Sequence, residues 1–554
     1  MASHGDSSGQ RPLTEQLLLS LKSRGARAVF GIPGDYALPI FNAIERSAVL
    51  PLYTFSHEPA VSFAADAAAR VGGGIGVAAV TYGAGALNLV NGVAAAYAEK
   101  SAVAVISAAP ARTSSWPALS RHHQVRRPDS QSRIFREVTC AQAILDDPET
   151  APALVARTLD ECARQSLPVY LEIPSDMAME PCAAIPPRRD ADADHEAVAE
   201  CAGEIASLVR SAKRPVVMIG VEVRRFGLEA EVADLARRAN IPVVTSFMGR
   251  GVAATHAIAS RGSYLGLAGD PQIAKLVEES DALILLGVIL CDTNLGLPAH
   301  RLDLRRVVHA FDGKVRIAHH IYSDIALKDL VGALFRHVPP VDDTLPQSAG
   351  ALLSRPLPRR DEHKLEPSDI AGAINTLFCA HGVMPVTCDV GDSLFVSLEI
   401  EHADLMAQAY YASMGFAVPA AIAIQAVTGT RPLVLVGDGA FQMTGWELGN
   451  CQRYGFDPIV VVLNNRSWEM LRAFSPQSRF NDLSDWHFAD LAHQLGGDGV
   501  RVRTGHELAC ALEEAWHKAG KFQLIEVVLE RGATSETLCR FAAALSHERP
   551  ALQC

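Results

Sequence analysis

Short, nearly continuous apolar runs recur along the chain, and amphipathic stretches of helical length separate them. The runs lie at Val103–Ala108, Pro168–Ile173, Pro215–Ile219, Pro242–Phe247, Ala282–Ile289, Pro432–Val436, Pro458–Leu463 and Leu524–Leu529. Apolar strands that alternate with helices of about 10–15 residues are typical of parallel sheets covered on both faces. The pattern therefore predicts an α/β fold.

Two polar segments divide these runs into three groups. Ala183–His195 combines proline with alternating charges, and Val338–Ser368 holds six prolines among charged residues. Such a composition cannot bury enough apolar surface to offset the loss of chain entropy, so both segments are predicted to be surface connections. We therefore predict three tandem doubly wound parallel-sheet domains, at residues 1–185, 186–345 and 346–554.

Composition and charge narrow the class of protein. The 554 residues carry 50 Lys and Arg against 62 Asp and Glu, a net charge of −12, which argues against a nucleic-acid-binding protein. The longest apolar runs, such as Ala282–Leu290, are about half as long as a bilayer span, and the first residues are polar. The eleven cysteines include no CxxC pair, which supports neither a disulfide scaffold nor a zinc ribbon. We expect a soluble, cytoplasmic protein.

The segment from Pro432 to Leu471 suggests a metal site. One apolar strand ends at Gly437-Asp438-Gly439, a helix is predicted at about Thr444–Arg453, and a second strand ends at Asn464-Asn465. Parallel strands place their carboxyl ends at one sheet edge, so Asp438 and Asn465 should converge there. Their oxygens are ligands that Mg²⁺ prefers, and the glycines let the backbone approach phosphates closely. The alternative is a tight turn and a polar strand end without a ligand.

This pairing resembles the signature of thiamine-diphosphate enzymes. Further upstream, the segments VFGIPGDYALPIF, FSHEPAVSFAADAAAR and VTYGAGALNLVNGVAAAYAE resemble the pyrimidine-binding domain of the 2-keto acid decarboxylases. The likeness covers nearly the whole chain, and GDGAFQMTGWELGN and LNNRSWEML are most similar to the phenylpyruvate and indolepyruvate decarboxylases. The resemblance implies pyrimidine, central and diphosphate domains, with Asp438, Asn465 and the backbone carbonyl of Ser467 as Mg²⁺ ligands.

The resemblance also implies which residues serve the cofactor. Glu58 matches the carboxyl group that activates the aminopyrimidine ring, and burial is expected to raise its pKa. The alternative is an acidic residue favoured by its place in a first helical turn. Met414 matches the bulky residue that bends the cofactor, although a core methionine is equally compatible with the sequence. The other residues implied to contact the cofactor are Ala412, through its carbonyl, Thr81, Gly437 and Gly439.

A third group of residues is expected to handle protons. Asp35 follows the first strand, and His122 and His123 form a pair about ten residues after the ISAAP turn, as in these decarboxylases. Histidine titrates near neutrality, which suits protonation of the enamine left by decarboxylation. An exposed pair of histidines in a solvated loop is the alternative. Carboligases of the acetolactate synthase type do not generally carry the pair.

One position departs from the pyruvate decarboxylases. Those enzymes carry a glutamate six residues after the second asparagine of the NN pair, whereas this chain has Leu471. Glu469 is a poor substitute because residues two apart on a helix face different directions. A larger, drier pocket would suit an aromatic substrate, and Trp468, Met470 and Phe474 are candidates to line it, although each is also compatible with a core position.

The sequence therefore predicts non-oxidative decarboxylation of phenylpyruvate or indole-3-pyruvate to CO₂ and the arylacetaldehyde, with thiamine diphosphate and Mg²⁺. The alternatives are a carboligase, a decarboxylase of pyruvate or other aliphatic 2-keto acids, and a catalytically silent subunit. Because the family builds its site from two subunits, the resemblance implies at least a homodimer, and a homotetramer is usual. The role of Asp292, which follows an apolar strand of the central domain, stays open.

Overall fold

The structure is a computed structural model that describes residues 10–112, 119–189, 192–254, 258–296, 302–338, 364–401 and 404–548. These residues form two compact units. One holds the described residues up to position 189 together with Ile422–Gly429, and the other holds the rest. The predicted connection at Ala183–His195 is exposed over most of its described residues, whereas positions 339–363 of the second connection lie outside the described residues.

The first unit is built on a six-stranded, wholly parallel sheet with the strand order β3-β2-β4-β5-β7-β6. Its strands are β2 Val29–Ile32, β3 Leu52–Thr54, β4 Gly76–Val80, β5 Val103–Ala109, β6 Ala141–Ile144 and β7 Val169–Pro174. A small antiparallel pair joins β1 Arg11–Pro12 to β8 Pro181–Cys182. The helices are α1 Leu13–Ser23, α2 Leu38–Ser47, α3 Glu58–Gly72, α4 Ala84–Ala98, α5 Ser130–Phe135 and α6 Ala151–Gln165.

The second unit contains two sheets, of which the first has seven strands in the order β11-β10-β9-β12-β13-β14-β15. Its strands are β9 Pro215–Ile219, β10 Val243–Ser246, β11 Ser260–Tyr264, β12 Ala282–Leu286, β13 Val307–Phe311, β14 Lys314–Ile317 and β15 His320–Ser323. Its helices are α7 His195–Ser211, α8 Val221–Arg225, α9 Glu229–Ala239, α10 Arg250–Ala254, α11 Pro271–Glu278, α12 Asp292–Leu295 and α13 Leu327–His337. The last two strands run antiparallel, so this sheet is mixed rather than wholly parallel as predicted.

The last sheet has six parallel strands in the order β17-β16-β18-β19-β21-β20, the same topology as the sheet of the first unit. Its strands are β16 Pro385–Cys388, β17 Asp404–Ala407, β18 Leu433–Gly437, β19 Ile459–Asn464, β20 Asp498–Val502 and β21 Gln523–Val528. The helices are α14 Pro367–His381, α15 Asp392–Val396, α16 Ala417–Thr428, α17 Asp438–Thr444, α18 Cys451–Tyr454, α19 Glu469–Phe474, α20 Phe488–Gln494, α21 Gly505–His517 and α22 Glu536–Glu548.

The continuous apolar runs arise because the strands are buried on both faces. In β12, Ile284 and Leu286 enter one apolar core, whereas Leu283 and Leu285 enter another on the opposite face of the sheet. Successive side chains of a strand point to opposite faces, so a strand with a core on each side has no polar position to alternate with. The predicted α/β fold with three sheets is confirmed.

The segment predicted to be helical at Thr444–Arg453 is helical, but the helical conformation begins six residues earlier, at Asp438 itself. Helix α17 begins at Asp438, a 3₁₀ segment follows at Gly445–Asn450, and α18 begins at Cys451. An acidic residue in a first helical turn is favoured by the helix dipole, so the GDG turn and the helix start are one feature. Among the described helices, none has both the length and the apolar character needed to cross a bilayer.

Candidate active site

Glu58 is the first residue of α3, and its side chain is half-buried. The side-chain amide of Asn88, on α4, donates a hydrogen bond of 2.8 Å to Oε2 of Glu58. The residue therefore has the helix-start position that the sequence offered as an alternative. That position also fixes the carboxylate between two helices of the first unit, where a ligand can reach it.

Thr81 follows β4 and is 7% exposed. Its hydroxyl oxygen is buried and has no hydrogen-bond partner among the described residues. A buried hydroxyl without a partner is costly unless a ligand or water satisfies it. The geometry therefore fits the prediction that Thr81 contacts a bound group.

Asp35 and His122 are in direct contact in the first unit. Nε2 of His122 contacts the Asp35 carboxylate, Nδ1 lies 3.0 Å from the Tyr36 hydroxyl, and the His122 and Tyr36 rings stack at 4.5 Å. Burial raises the pKa of Asp35, but the hydrogen bond from His122 and the hydrogen bond from the Tyr36 backbone together outweigh it, so the pKa lies below its usual value. A neutral His122 carrying its proton on Nε2 would donate to this carboxylate and accept from Tyr36.

His123 lies beside His122, with ring centroids 4.8 Å apart. Its Nδ1 is 3.1 Å from the backbone carbonyl of Tyr82, and its own backbone carbonyl touches Gly83. Gly83 has φ of +63°, and a Cβ there would lie 2.1 Å from the His123 oxygen. The Gly83 turn therefore requires glycine, both for its conformation and for the approach of His123.

A buried network that the motifs did not reveal fixes the Gly83 turn. The Gly83 N–H donates 2.6 Å to Oε1 of Gln131, whose Nε2 donates 2.5 Å to the Tyr170 hydroxyl. Tyr170 in turn contacts Glu172, and burial raises the pKa of both residues. The one signal in the sequence was Glu172, a charged residue inside the apolar run Pro168–Ile173.

In the second unit, Asp438 and Asn465 converge as predicted from the parallel strands. The Ser467 N–H is 3.3 Å from Oδ2 of Asp438 and 3.1 Å from Oδ1 of Asn465. All three residues are at most 5% exposed, and burial raises the pKa of Asp438 to about 7. Among the described residues, no basic side chain forms an ion pair with Asp438. A buried carboxylate and amide oxygen without a protein cation form a donor set that fits Mg²⁺.

Gly437 and Gly439 flank Asp438 at the start of α17. A Cβ on Gly439 would lie 2.4 Å from the indole ring of Trp468, whereas a Cβ on Gly437 would meet nothing within 4 Å. Gly439 is thus required by close packing, and Gly437 leaves open space beside the sheet edge. The indole Nε1 of Trp468 is buried without a hydrogen-bond partner in the described part of the chain.

The loop that carries Ala412 and Met414 is held by a residue that the sequence analysis missed. Ala412 is exposed with φ of +57°, and Met414 is half-buried. Asp389, directly after β16, accepts hydrogen bonds from the N–H groups of Gly415 at 3.0 Å and Ala417 at 2.9 Å. Burial raises the pKa of Asp389 to about 6, although these backbone bonds oppose the rise. Asp389 thereby fixes the loop on which both predicted cofactor contacts lie.

The four predicted pocket residues fall into two groups. Met470 and Phe474 pack against the apolar core of the last sheet, which is the alternative that the sequence left open. Leu471 is 50% exposed, while Trp468 lies against Gly439. Glu469 is buried, so it does not occupy the exposed position of Leu471. Of the four residues, Leu471 is the one whose side chain is exposed, and Trp468 is part of the packing around Gly439.

Comparisons with known proteins define the family. Sequence models of thiamine pyrophosphate enzymes match the N-terminal TPP binding domain at residues 11–132, the central domain at 202–336 and the C-terminal TPP binding domain at 389–527. The chain belongs to the thiamine-diphosphate-dependent 2-keto acid decarboxylases, which confirms the predicted family and its cofactor.

Individual relatives cover nearly all of the chain. It is 54% identical over 535 residues to the indole-3-pyruvate decarboxylase of Azospirillum brasilense, covering 96% of this chain and 97% of that protein. It is 29% identical to the alpha-keto-acid decarboxylase of Mycolicibacterium paratuberculosis, covering 93% of each chain. It is 27% identical to the alpha-keto-acid decarboxylase of Mycobacterium ulcerans, covering 96% of each.

Proposed function

We propose that this chain decarboxylates an aromatic 2-keto acid, indole-3-pyruvate or phenylpyruvate, and releases CO₂ and the arylacetaldehyde. The observation that carries the proposal is the 54% identity to a relative named indole-3-pyruvate decarboxylase. The half-exposed Leu471 supports it, because an apolar side chain there adds no charge beside a large apolar substrate.

The proposed metal is Mg²⁺, held by Asp438, Asn465 and the backbone carbonyl of Ser467. The support is the convergence of two buried side-chain oxygens at one point, where no basic side chain among the described residues forms an ion pair with Asp438. The ion would supply positive charge for the cofactor's diphosphate. Gly437 and Gly439 would leave the backbone at the start of α17 open to the phosphate groups.

The first unit supplies the residues proposed to act on protons. Thiamine diphosphate, when bound, provides the electron sink for the electrons released as CO₂ leaves. Glu58, held by Asn88, would place its carboxyl group on a ring nitrogen of the cofactor. Asp35, kept ionised, would hold His122 through Nε2, so that the opposite ring nitrogen, Nδ1, beside the Tyr36 hydroxyl, would be the one to exchange a proton. The Gly83 turn would hold His123 next to His122.

The proposed assembly is at least a homodimer and, by resemblance to the family, a homotetramer. The binding partner proposed besides the cofactor is a small-molecule 2-keto acid substrate. In that family one subunit contributes the residues equivalent to Glu58 and another those equivalent to Asp438. A cytoplasmic location is also proposed, supported by the absence of a disulfide among the ten described cysteines.

The experiment that tests the proposal is a coupled aldehyde assay on purified protein with thiamine diphosphate and Mg²⁺. Indole-3-pyruvate, phenylpyruvate and pyruvate are compared by kcat/KM, which defines specificity. We expect kcat/KM for both aromatic acids to exceed that for pyruvate by at least tenfold. A preference for pyruvate would contradict the proposed substrate, and condensation products in excess of free aldehyde would indicate a carboligase instead.

A further inference from the structure

Two helix ends in the second unit bring together side chains that the decarboxylation does not use. His381 is the last residue of α14, His517 is the last residue of α21, and Glu513 lies one turn before His517. Nε2 of His381 is 2.9 Å from both carboxylate oxygens of Glu513. Nε2 of His517 is 3.1 Å from Oε1 of the same carboxylate.

We propose that His381, Glu513 and His517 form a binding site for a transition-metal ion of the Zn²⁺ type. One ligand atom from each residue lies within 4.8 Å of the other two, so a single ion can reach all three. Donors around a tetrahedral zinc ion with bonds of about 2.0–2.2 Å are about 3.3–3.5 Å apart, so the observed spacing needs only small movements. Two imidazoles and one carboxylate leave the fourth position to water, and nitrogen donors disfavour Mg²⁺ and Ca²⁺.

Among the three proposed ligands, His381 has the ring orientation that is best fixed before an ion binds. Its ring stacks on the indole of Trp516 at 5.0 Å with an interplanar angle of 20°, and Trp516 packs against the core of the last sheet. The ring of His517 meets His381 edge-on at 5.4 Å. Two rings whose orientations are already set lose less conformational freedom when an ion binds.

The electrostatic setting also favours a cation. The carboxyl ends of α14 and α21 carry the negative ends of two helix dipoles, and both ligating histidines sit there.

Two nearby basic residues are engaged elsewhere. Lys518 lies 2.6 Å from Glu514. Arg431 binds the carbonyls of Ala515 and Trp516, at 3.0 and 3.2 Å, and lies 3.8 Å from Asp457. Arg431 therefore offsets part of the dipole of α21 through backbone carbonyls, not through the three proposed ligand side chains.

A bound ion would join two helices whose ligands are 132 positions apart in the sequence. Because the ligands belong to separate chain segments, the ion binds the folded chain better than the unfolded one and stabilises it. The proposed role is thus a clamp between α14 and α21. It is independent of the decarboxylation, so loss of the site should leave kcat unchanged.

The test uses untagged full-length holoenzyme, saturated with thiamine diphosphate and Mg²⁺, and titrated with Zn²⁺ against a chromophoric chelator. We expect one Zn²⁺ per chain with a micromolar or lower Kd, weakened at least tenfold in His381→Gln, His517→Gln and Glu513→Gln. His493→Gln, an exposed histidine on α20, is the matched control and should bind as the wild type does. Zn²⁺ should raise the Tm of wild type and control, but not that of the three variants.

Two results would overturn the proposal. One is equal Zn²⁺ binding by the wild type and the three ligand variants, which would mean that the cluster is only a hydrogen-bonded surface group. The other is loss of binding in His506→Gln or Cys510→Ser, the exposed pair 3.7 Å apart on α21, with binding retained in the ligand variants. Melting of each variant without Zn²⁺ separates loss of the site from loss of the fold.

Discussion

Asp438 and Asn465 point their side-chain oxygens at the same backbone N–H, that of Ser467, although they follow different strands and lie 27 positions apart. The contact is a direct result of topology. Strands β18 and β19 are parallel neighbours with Gly437 beside Leu463, so the residues that follow each strand emerge at one edge. This edge is where open α/β sheets bind ligands.

Replacing the Asp438 carboxylate should therefore weaken cofactor binding rather than lower the stability of the fold. In Asp438→Asn, the proposed metal site loses the one charged side chain among its three proposed ligands, and the Kd for thiamine diphosphate in the presence of Mg²⁺ should rise at least about 10–100-fold. Quenching of tryptophan fluorescence by the cofactor measures this Kd. Asp490→Asn, an exposed acid on α20, serves as the control, and equal Kd values in both variants would rule out Asp438 as a ligand.

The carboxyl group of Glu58 should matter for chemistry more than for binding. Glu58→Gln keeps the length of the side chain and an oxygen for Asn88 but cannot share a proton with the cofactor, so kcat should fall by about 10²–10⁴-fold. The Kd for thiamine diphosphate should change only a few-fold. Glu45→Gln, an exposed glutamate on α2, is the control. Full activity in Glu58→Gln would contradict the assigned role.

The sequence alone was sufficient to predict features of the fold and the site that depend on the order of the strands. Each of the eight apolar runs coincides with a strand to within a few residues, and the convergence of Asp438 with Asn465 followed from two strands and one crossover. Features set by packing across the chain were not predictable. Asp389 and Gln131 each accept a hydrogen bond from a backbone N–H group 26 or more positions away in the sequence. No local sequence pattern indicates such a partner. Likewise, Met470 and Leu471 are neighbours, yet one packs on the core and the other is half-exposed.

The approach of Gly83 to His123 can be tested with two glycines of nearly equal φ. Gly83 has φ of +63° and its Cβ position overlaps the His123 carbonyl, whereas Gly73 has φ of +62° with nothing within 4 Å. Gly73→Ala should cost about 1 kcal/mol in backbone strain and leave kcat unchanged. Gly83→Ala should lower both the Tm and kcat, the latter at least tenfold. Equal kcat values in the two variants would show that the turn does not position His123.

The apolar side chain of Leu471 should set substrate preference. Leu471→Glu introduces a charge that an aromatic substrate would have to desolvate, so kcat/KM for phenylpyruvate and indole-3-pyruvate should fall about 10–200-fold. The value for pyruvate should fall less or rise. Ile321→Glu, which also replaces an exposed aliphatic residue by glutamate, is the control. Unchanged aromatic turnover in Leu471→Glu would defeat the idea that Leu471 shapes the pocket.

Burial of Asp389 predicts a stability difference that depends on pH. Its pKa is raised from 3.8 to about 6, so the folded chain keeps this proton to higher pH than the unfolded chain does. The stability contributed by protonation is therefore complete below about pH 4 and is lost as the pH rises through about 6. Asp389→Asn cannot titrate, and it also loses one carboxylate acceptor for the Gly415 and Ala417 N–H groups, so it should melt below the wild type at every pH.

The difference in free energy of unfolding between the wild type and Asp389→Asn should be larger at pH 5 than at pH 7.5 by about 1–2 kcal/mol. The reason is that only the wild type is stabilised by protonation at the lower pH. Scanning calorimetry of both proteins across that range, at constant ionic strength, measures the gap as a difference in Tm. Asp490→Asn, whose side chain is exposed, should follow the wild type throughout. A gap that stays constant, or one that widens as the pH rises, would show that Asp389 is ionised throughout and that its backbone hydrogen bonds outweigh its burial.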